Sequence, residues 1–193
     1  MSTIGTSDSD QLPLIVSVDD HVVEPRDLFD NWLPQKFRDH PDKPRVERRG
    51  LAGMAYKGGT TYEFDWQDDA PQADCWIYGD LIAPHKRHVA AVGFSRDEMT
   101  ASPITYDEMR PGCYDPAARL EDMSVDGVEA SLCFPTMPRF CGQTFAEASD
   151  KDLAMAGVHA YNNWLVEGGC GDADGRRCPG PYGPRWAGGA PAA

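Results

Sequence analysis

Three polar residues in a row, Asp19-Asp20-His21, follow a short apolar run, Leu12-Pro-Leu-Ile-Val-Ser-Val18. On an extended strand, residues two apart project from the same face, so Asp19 and His21 would converge while Asp20 turns away. A carboxylate oxygen and a neutral imidazole nitrogen are both ligands for Zn²⁺ or Mn²⁺. The carboxylate hardens the pair, so Mn²⁺ and Mg²⁺ suit it as well as Zn²⁺. Asp20 is left as a turn residue or as an acceptor behind the pair, and Glu24 is placed to reach toward it from the following loop. Residue types alone favour a simpler reading, in which the triplet closes a strand with turn-forming side chains.

Other candidate groups are weaker. His85 and His88, in Pro-His-Lys-Arg-His, have a ligand-like spacing, but it requires a helix to align the rings, and a basic surface turn is the expectation. His159 falls within a helical pattern and reads as a helix-face residue. Cys133 and Cys141 flank a loop that has no histidine to activate them, so bystander thiols are expected. Arg139 lies in that loop, where a contact to an acidic substrate and a plain surface position are equally open. There is no Gly-x-Ser-x-Gly elbow, glycine-rich phosphate loop or His-Glu-x-x-His. The six cysteines form no Cys-x-x-Cys pair, and reduced thiols in a cytoplasmic setting are expected.

The elements that would position these groups can be traced along the chain. The run ending at Val18 suits a strand of a buried parallel sheet, with polar residues bunched at its C-terminal end, where ligands gather in α/β folds. Residues 1–11 read as a disordered leader. From about 26 to 112 prolines recur, and no period lasts. Within this insertion a hairpin is predicted, Met54–Lys57 and Thr60–Trp66 about a Gly58-Gly59 turn, with Cys75–Tyr78 as a third strand. Its aromatics are expected to form a satellite core. Asp115-Pro116 opens a helix that Gly127 ends, Val128–Phe134 follows as a strand, and a second helix runs from Ala146 or Ser149 to Val166. Residues 12–167 thus read as one α/β unit. From 168 to 193, 17 of 26 residues are Gly, Pro or Ala, a composition that cannot fund a packed core.

Composition excludes several functions. With 18 basic and 31 acidic side chains, a formal charge of −13, the chain is not expected to bind nucleic acid or an anionic membrane. No apolar stretch is long enough to span a bilayer, and the N-terminus has no basic and apolar export signal. Leu, Ile, Val and Phe total 33 of 193 residues, so the apolar supply is thin.

Val16-Ser-Val-Asp-Asp-His-Val-Val-Glu-Pro25 resembles the opening strand of the amidohydrolase-related family, in the branch that includes aminocarboxymuconate-semialdehyde decarboxylase. Arg119-Leu-Glu-Asp-Met-Ser-Val-Asp-Gly-Val128 is similar to its second helix–strand unit, and Ala160-Tyr-Asn-Asn-Trp-Leu-Val166 to its next helix. The resemblance implies a (β/α)8 TIM-barrel fold that is incomplete in this chain, roughly the first two β/α units plus the inserted segment. It implies a divalent metal, Zn²⁺ first and Mn²⁺ or Mg²⁺ next, held by Asp19 and His21, with Glu24 and Arg139 as supporting or substrate-contacting residues. The family's pair is His-x-His, so Asp19 is a departure that leaves the metal open. The implied activity is hydrolysis of a small organic or cyclic molecule by metal-activated water, or non-oxidative decarboxylation. The family's later ligands and its acid–base residues have no counterpart in this chain. A truncated form with little activity alone, or a non-catalytic remnant, is therefore expected, and a homodimer only if the fold were complete.

The composition change after Arg176 falls where the family's third strand would begin, and a one-base shift permits an apolar run there. Sequencing the gene beyond the Arg176 codon should reveal, in a shifted frame, an apolar third strand and a later histidine. Absence of both from every frame refutes the truncation.

Overall fold

The computed structural model describes residues 15–58 and 61–169. In chain order these form strand β1 (Ile15–Val22), helix α1 (Leu28–Trp32), strands β2 (Arg45–Gly58), β3 (Thr61–Trp66), β4 (Gln72–Tyr78) and β5 (Leu81–Pro84), helix α2 (Pro116–Asp126), strand β6 (Val128–Pro135), and helices α3 (Gln143–Glu147) and α4 (Lys151–Asn163). A six-residue π turn, Trp164–Gly169, continues α4. The fold is mixed α/β. β1 and β6 form a parallel pair, and the insertion forms an antiparallel sheet in the order β3-β2-β4-β5. Two parallel strands make no closed barrel among the described residues. The expectations for 1–11 and for the tail from 170 onward lie outside them.

Local chemistry explains most boundaries. The Asp115 carboxylate accepts from the Ala117 and Ala118 amides at 2.8 and 3.0 Å, Pro116 occupies the first turn, and Gly127 ends α2 at φ +70°. Of the two starts expected for the second helix, the structure matches the one near Ser149, and the stretch before it forms the separate short α3. Ala148 is extended, and the Asp150 carboxylate then caps α4 through the Asp152 and Leu153 amides.

The first strand requires a correction. It does not end at Val18 but continues to Val22, carrying Asp19, Asp20 and His21 within it. Pairing with β6 supplies the backbone partners that a strand end would lack, aligning Asp20 with Cys133 and His21 with Phe134. The register slips between Ser17 and Asp20, so an irregularity sits beside the first candidate ligand.

The insertion is also better ordered than its sequence suggests, and not all its aromatics form a separate core. Trp76 and Tyr78 of β4 enter the main core beside Leu28 and Phe29 of α1, Cys133 of β6, Phe145 of α3 and Leu153 of α4. Phe29 meets Trp76 edge-on at 5.6 Å, and Phe145 meets Tyr78 at 5.6 Å, a favoured aromatic geometry. Tyr56, Tyr62, Phe64 and Trp66 instead form a ladder along the hairpin. Asp74, almost fully buried, fixes the sheet to the segment after it. It accepts two bonds of 2.9 Å from Arg48 and one of 2.8 Å from the Tyr106 amide.

Gly157 lets α4 approach α3. A Cβ there would lie 2.6 Å from Cε1 of Phe145. Glycine to alanine within a helix ordinarily stabilises by about 1 kcal/mol. Here Gly157→Ala should instead lower stability by about 1–3 kcal/mol through overpacking, measured by urea denaturation. A more stable variant would show that the two helices do not meet this way.

Candidate functional site

The C-terminal ends of β1 and β6, the loop that follows β6, and α4 enclose a cavity of about 440 Å³. Asp19 and His21 line it from β1, Phe134 from β6, Arg139 from the loop, Phe145 from α3 and Tyr161 from α4. Asp19 and His21 are exposed, and the His21 ring lies 6.0 Å from that of its register partner Phe134. Strand alternation therefore brings the two predicted donors to one hollow, walled chiefly by apolar side chains. His21 also borders a second hollow of about 430 Å³ on the other side of β1, with His88 and Arg119.

Asp20 faces away from the first cavity and is no turn residue. It accepts from the Ser131 hydroxyl, and the Arg119 guanidinium lies 3.6 Å from it. Arg119 also donates to the His21 carbonyl at 3.2 Å. One side chain of α2 thus contacts both the Asp20 carboxylate and the backbone of His21.

Glu24 does not reach the cavity as the sequence suggests, but is fully buried behind it. Its carboxylate accepts from the Thr136 amide at 2.9 Å and the Met137 amide at 3.0 Å. Burial disfavours the charged form and pushes its pKa up to about 7, while those amides and the Tyr161 side chain pull the other way. The Thr136 hydroxyl returns to the Val22 carbonyl at 2.7 Å, and the Tyr106 hydroxyl donates to the Glu24 carbonyl at 2.5 Å. The loop bearing Arg139 is held by this clamp. Two of the remote partners are backbone amides, which no motif marks, so the clamp carries no local signature.

Arg139 has φ +62°, and Cys141 has φ +55°. Such angles are uncommon outside glycine and mark a backbone held by its surroundings. Arg139 is among the residues lining the cavity, and its guanidinium pairs at 3.3 Å with Glu147, which together with Arg139 borders a neighbouring hollow.

The remaining candidates separate. His85 is buried and belongs to no surface turn, because its amide extends the sheet by donating to the Asp74 carbonyl. Its Nε2 lies 3.3 Å from the Tyr106 hydroxyl, and burial pushes its pKa down to about 4. His88 is exposed, and His159 stands exposed on α4. Cys133 is buried and Cys141 exposed.

Asp19 and His21 have the donor chemistry of a divalent-metal site. Among the described residues, however, no three His, Cys, Asp or Glu side chains gather where they could hold an ion. The pair fits as part of a site and is short of the three protein ligands of a catalytic zinc centre.

No family model matches this chain, and no curated protein matches it. Among solved structures it is similar to an amidohydrolase from Mycobacterium avium subsp. paratuberculosis K-10, with 23% identity and a TM-score of 0.46. The likeness covers 86% of this chain and 42% of that one, so the chain spans less than half that protein's length. Among the described residues no helix is long and apolar enough to cross a membrane.

Glu24 and His85 give stability opposite pH dependences. The Glu24 pKa is raised from 4.5 to about 7, so the folded state holds that proton more tightly, and its contribution declines as pH rises through this window. The His85 pKa is lowered from 6.5 to about 4, so its contribution is lost as pH falls through that window. The two slopes oppose each other over the shared range. Glu24→Gln should therefore gain about 3 kcal/mol relative to wild type between about pH 4.5 and pH 7.5, followed by urea denaturation. A constant difference would mean that the carboxyl ionises freely in the folded protein.

Proposed function

We propose that the chain is the opening part of a metal-dependent hydrolase of the amidohydrolase-related family, with residues 12–167 as the first β/α units of a barrel. The single observation supporting this is that Asp19 and His21, two apart on β1, line one cavity at the C-terminal end of a parallel strand pair. Ligand sites of α/β barrels collect at that end. Asp19 and His21 are the residues that would hold the ion, with Zn²⁺, Mn²⁺ or Mg²⁺ as candidates. A bound ion of this kind supplies Lewis acidity and lowers the pKa of water.

The chain's own residues supply the rest of the reading. Arg139 presents positive charge to a small anionic substrate, offset by Glu147. Phe134, Phe145 and Tyr161 offer an apolar wall that excludes water from a cyclic body. Glu24 positions the Arg139 loop through the Thr136 and Met137 amides. A second reading, a remnant that binds metal loosely and does not turn over substrate, is favoured by the lack of a third donor among the described residues.

Calorimetric titration with Zn²⁺ and Mn²⁺ tests the metal site. Wild type should bind one ion, and Asp19→Ala and His21→Ala should each weaken it by about tenfold or more, while Arg139→Ala leaves affinity unchanged. Equal binding by all four proteins would remove Asp19 and His21 from the site. Metal-dependent release of CO₂ from small acids would mark a carboxy-lyase, and cleavage of esters or amides a hydrolase. No turnover with intact metal binding supports the remnant.

A further inference from the structure

β3 is the outermost strand of the antiparallel sheet, paired only with β2. Its far edge carries backbone donors and acceptors with no strand partner among the described residues. Alternation places Tyr62, Phe64 and Trp66 on one face and Glu63 and Asp65 on the other. The aromatic face is already ordered. Tyr62 stacks on Phe64 at 6.4 Å, Phe64 meets Trp66 at 5.2 Å, and the Lys86 ammonium sits 4.4 Å from the Tyr62 ring centre. The opposite face is acidic. On it Glu63 and Asp65 are exposed, Asp68 and Asp69 are exposed in the turn after the strand, and residues 61–69 contain no Lys, Arg or His. Lys57 of β2 offsets Glu63 at 2.5 Å, while Asp65, Asp68 and Asp69 form no ion pair among the described residues.

These charges discriminate between occupants. Two copies pairing β3 antiparallel about a two-fold axis place same-face residues opposite each other. The central registers then set Glu63 against Glu63, Glu63 against Asp65, or Asp65 against Asp65, and like charges directly opposite are destabilising. The formal charge of −13 adds to that repulsion. A strand alternating basic and apolar residues reverses the sign, laying its cations over Glu63 and Asp65 and its apolar side chains beside the aromatic ladder. We infer that the outer edge of β3 docks an extended, basic-alternating segment of a partner protein by strand addition. Main-chain bonds would give affinity in this mode, and the two faces would give specificity. The inference is independent of the metal reading, since β3 contributes nothing to the cavity of Asp19 and His21.

The test uses the full chain and labelled peptides as long as β3. One alternates Lys and Val, one alternates Glu and Val, and one has the Lys and Val residues in separate blocks. Fluorescence anisotropy should show the Lys–Val alternating peptide binding roughly tenfold tighter than either other peptide, weakening with salt. Amide hydrogen exchange should slow over residues 61–66 on binding. Glu63→Lys/Asp65→Lys should invert the preference toward the Glu–Val peptide, and Asp65→Lys alone, a single surface change, should at least abolish it. Equal binding of the alternating and blocked peptides, binding without slowed exchange at 61–66, or no binding would each overturn the inference. So would concentration-dependent self-association that protects 61–66 without peptide.

Discussion

A single buried carboxylate joins the two ends of the parallel strand pair. Glu24 follows β1, its two oxygens take the first amides after β6, and its own carbonyl is held by Tyr106 from the insertion. Placing a carboxyl group where water cannot reach it is costly, and the raised pKa is the measure of that cost. The arrangement persists because removing the acceptor would strand two amides in the interior, a penalty comparable with keeping the charge. Where β1 ends, where the loop bearing Arg139 begins, and how the insertion meets both are therefore settled at one residue.

The insertion shares a core with the parallel pair rather than hanging beside it. Trp76 and Tyr78 pack between α1 and α3, and Asp74 locks β2 and β4 to the segment that returns toward α2. A chain with few branched aliphatic residues can still build such a core, because large aromatic rings bury much area each. The thin apolar supply is concentrated where the two sheets meet, and the cavity opens at its border, where Phe145 and Tyr161 serve both.

What could be read from the sequence follows the range of the interactions involved. α2 was legible because its cap, its proline and its terminal glycine are local chemistry at fixed offsets. The hairpin strands were legible from alternation, and the common orientation of Asp19 and His21 from strand periodicity. The pairing that carries β1 on to Val22 was not, because its partners lie more than a hundred positions away. His85 misled for a similar reason. Lys86 and Arg87 make its neighbourhood look like surface, whereas its backbone extends the antiparallel sheet and its ring turns toward Tyr106. Glu24 offered only a carboxylate before a proline, and its partners, the Thr136 and Met137 amides and the Tyr161 side chain, lie more than a hundred positions away.

The left-handed residues in the loop after β6 bear on how the cavity mouth can vary. Arg139 and Cys141 hold positive-φ backbone angles that residues with a Cβ adopt at a cost of about 1–3 kcal/mol each. Glycine at either place would ease the winding of the chain, yet it would delete the group that the winding presents to the opening. Torsional comfort and chemical display are thus traded against each other at the entrance, residue by residue.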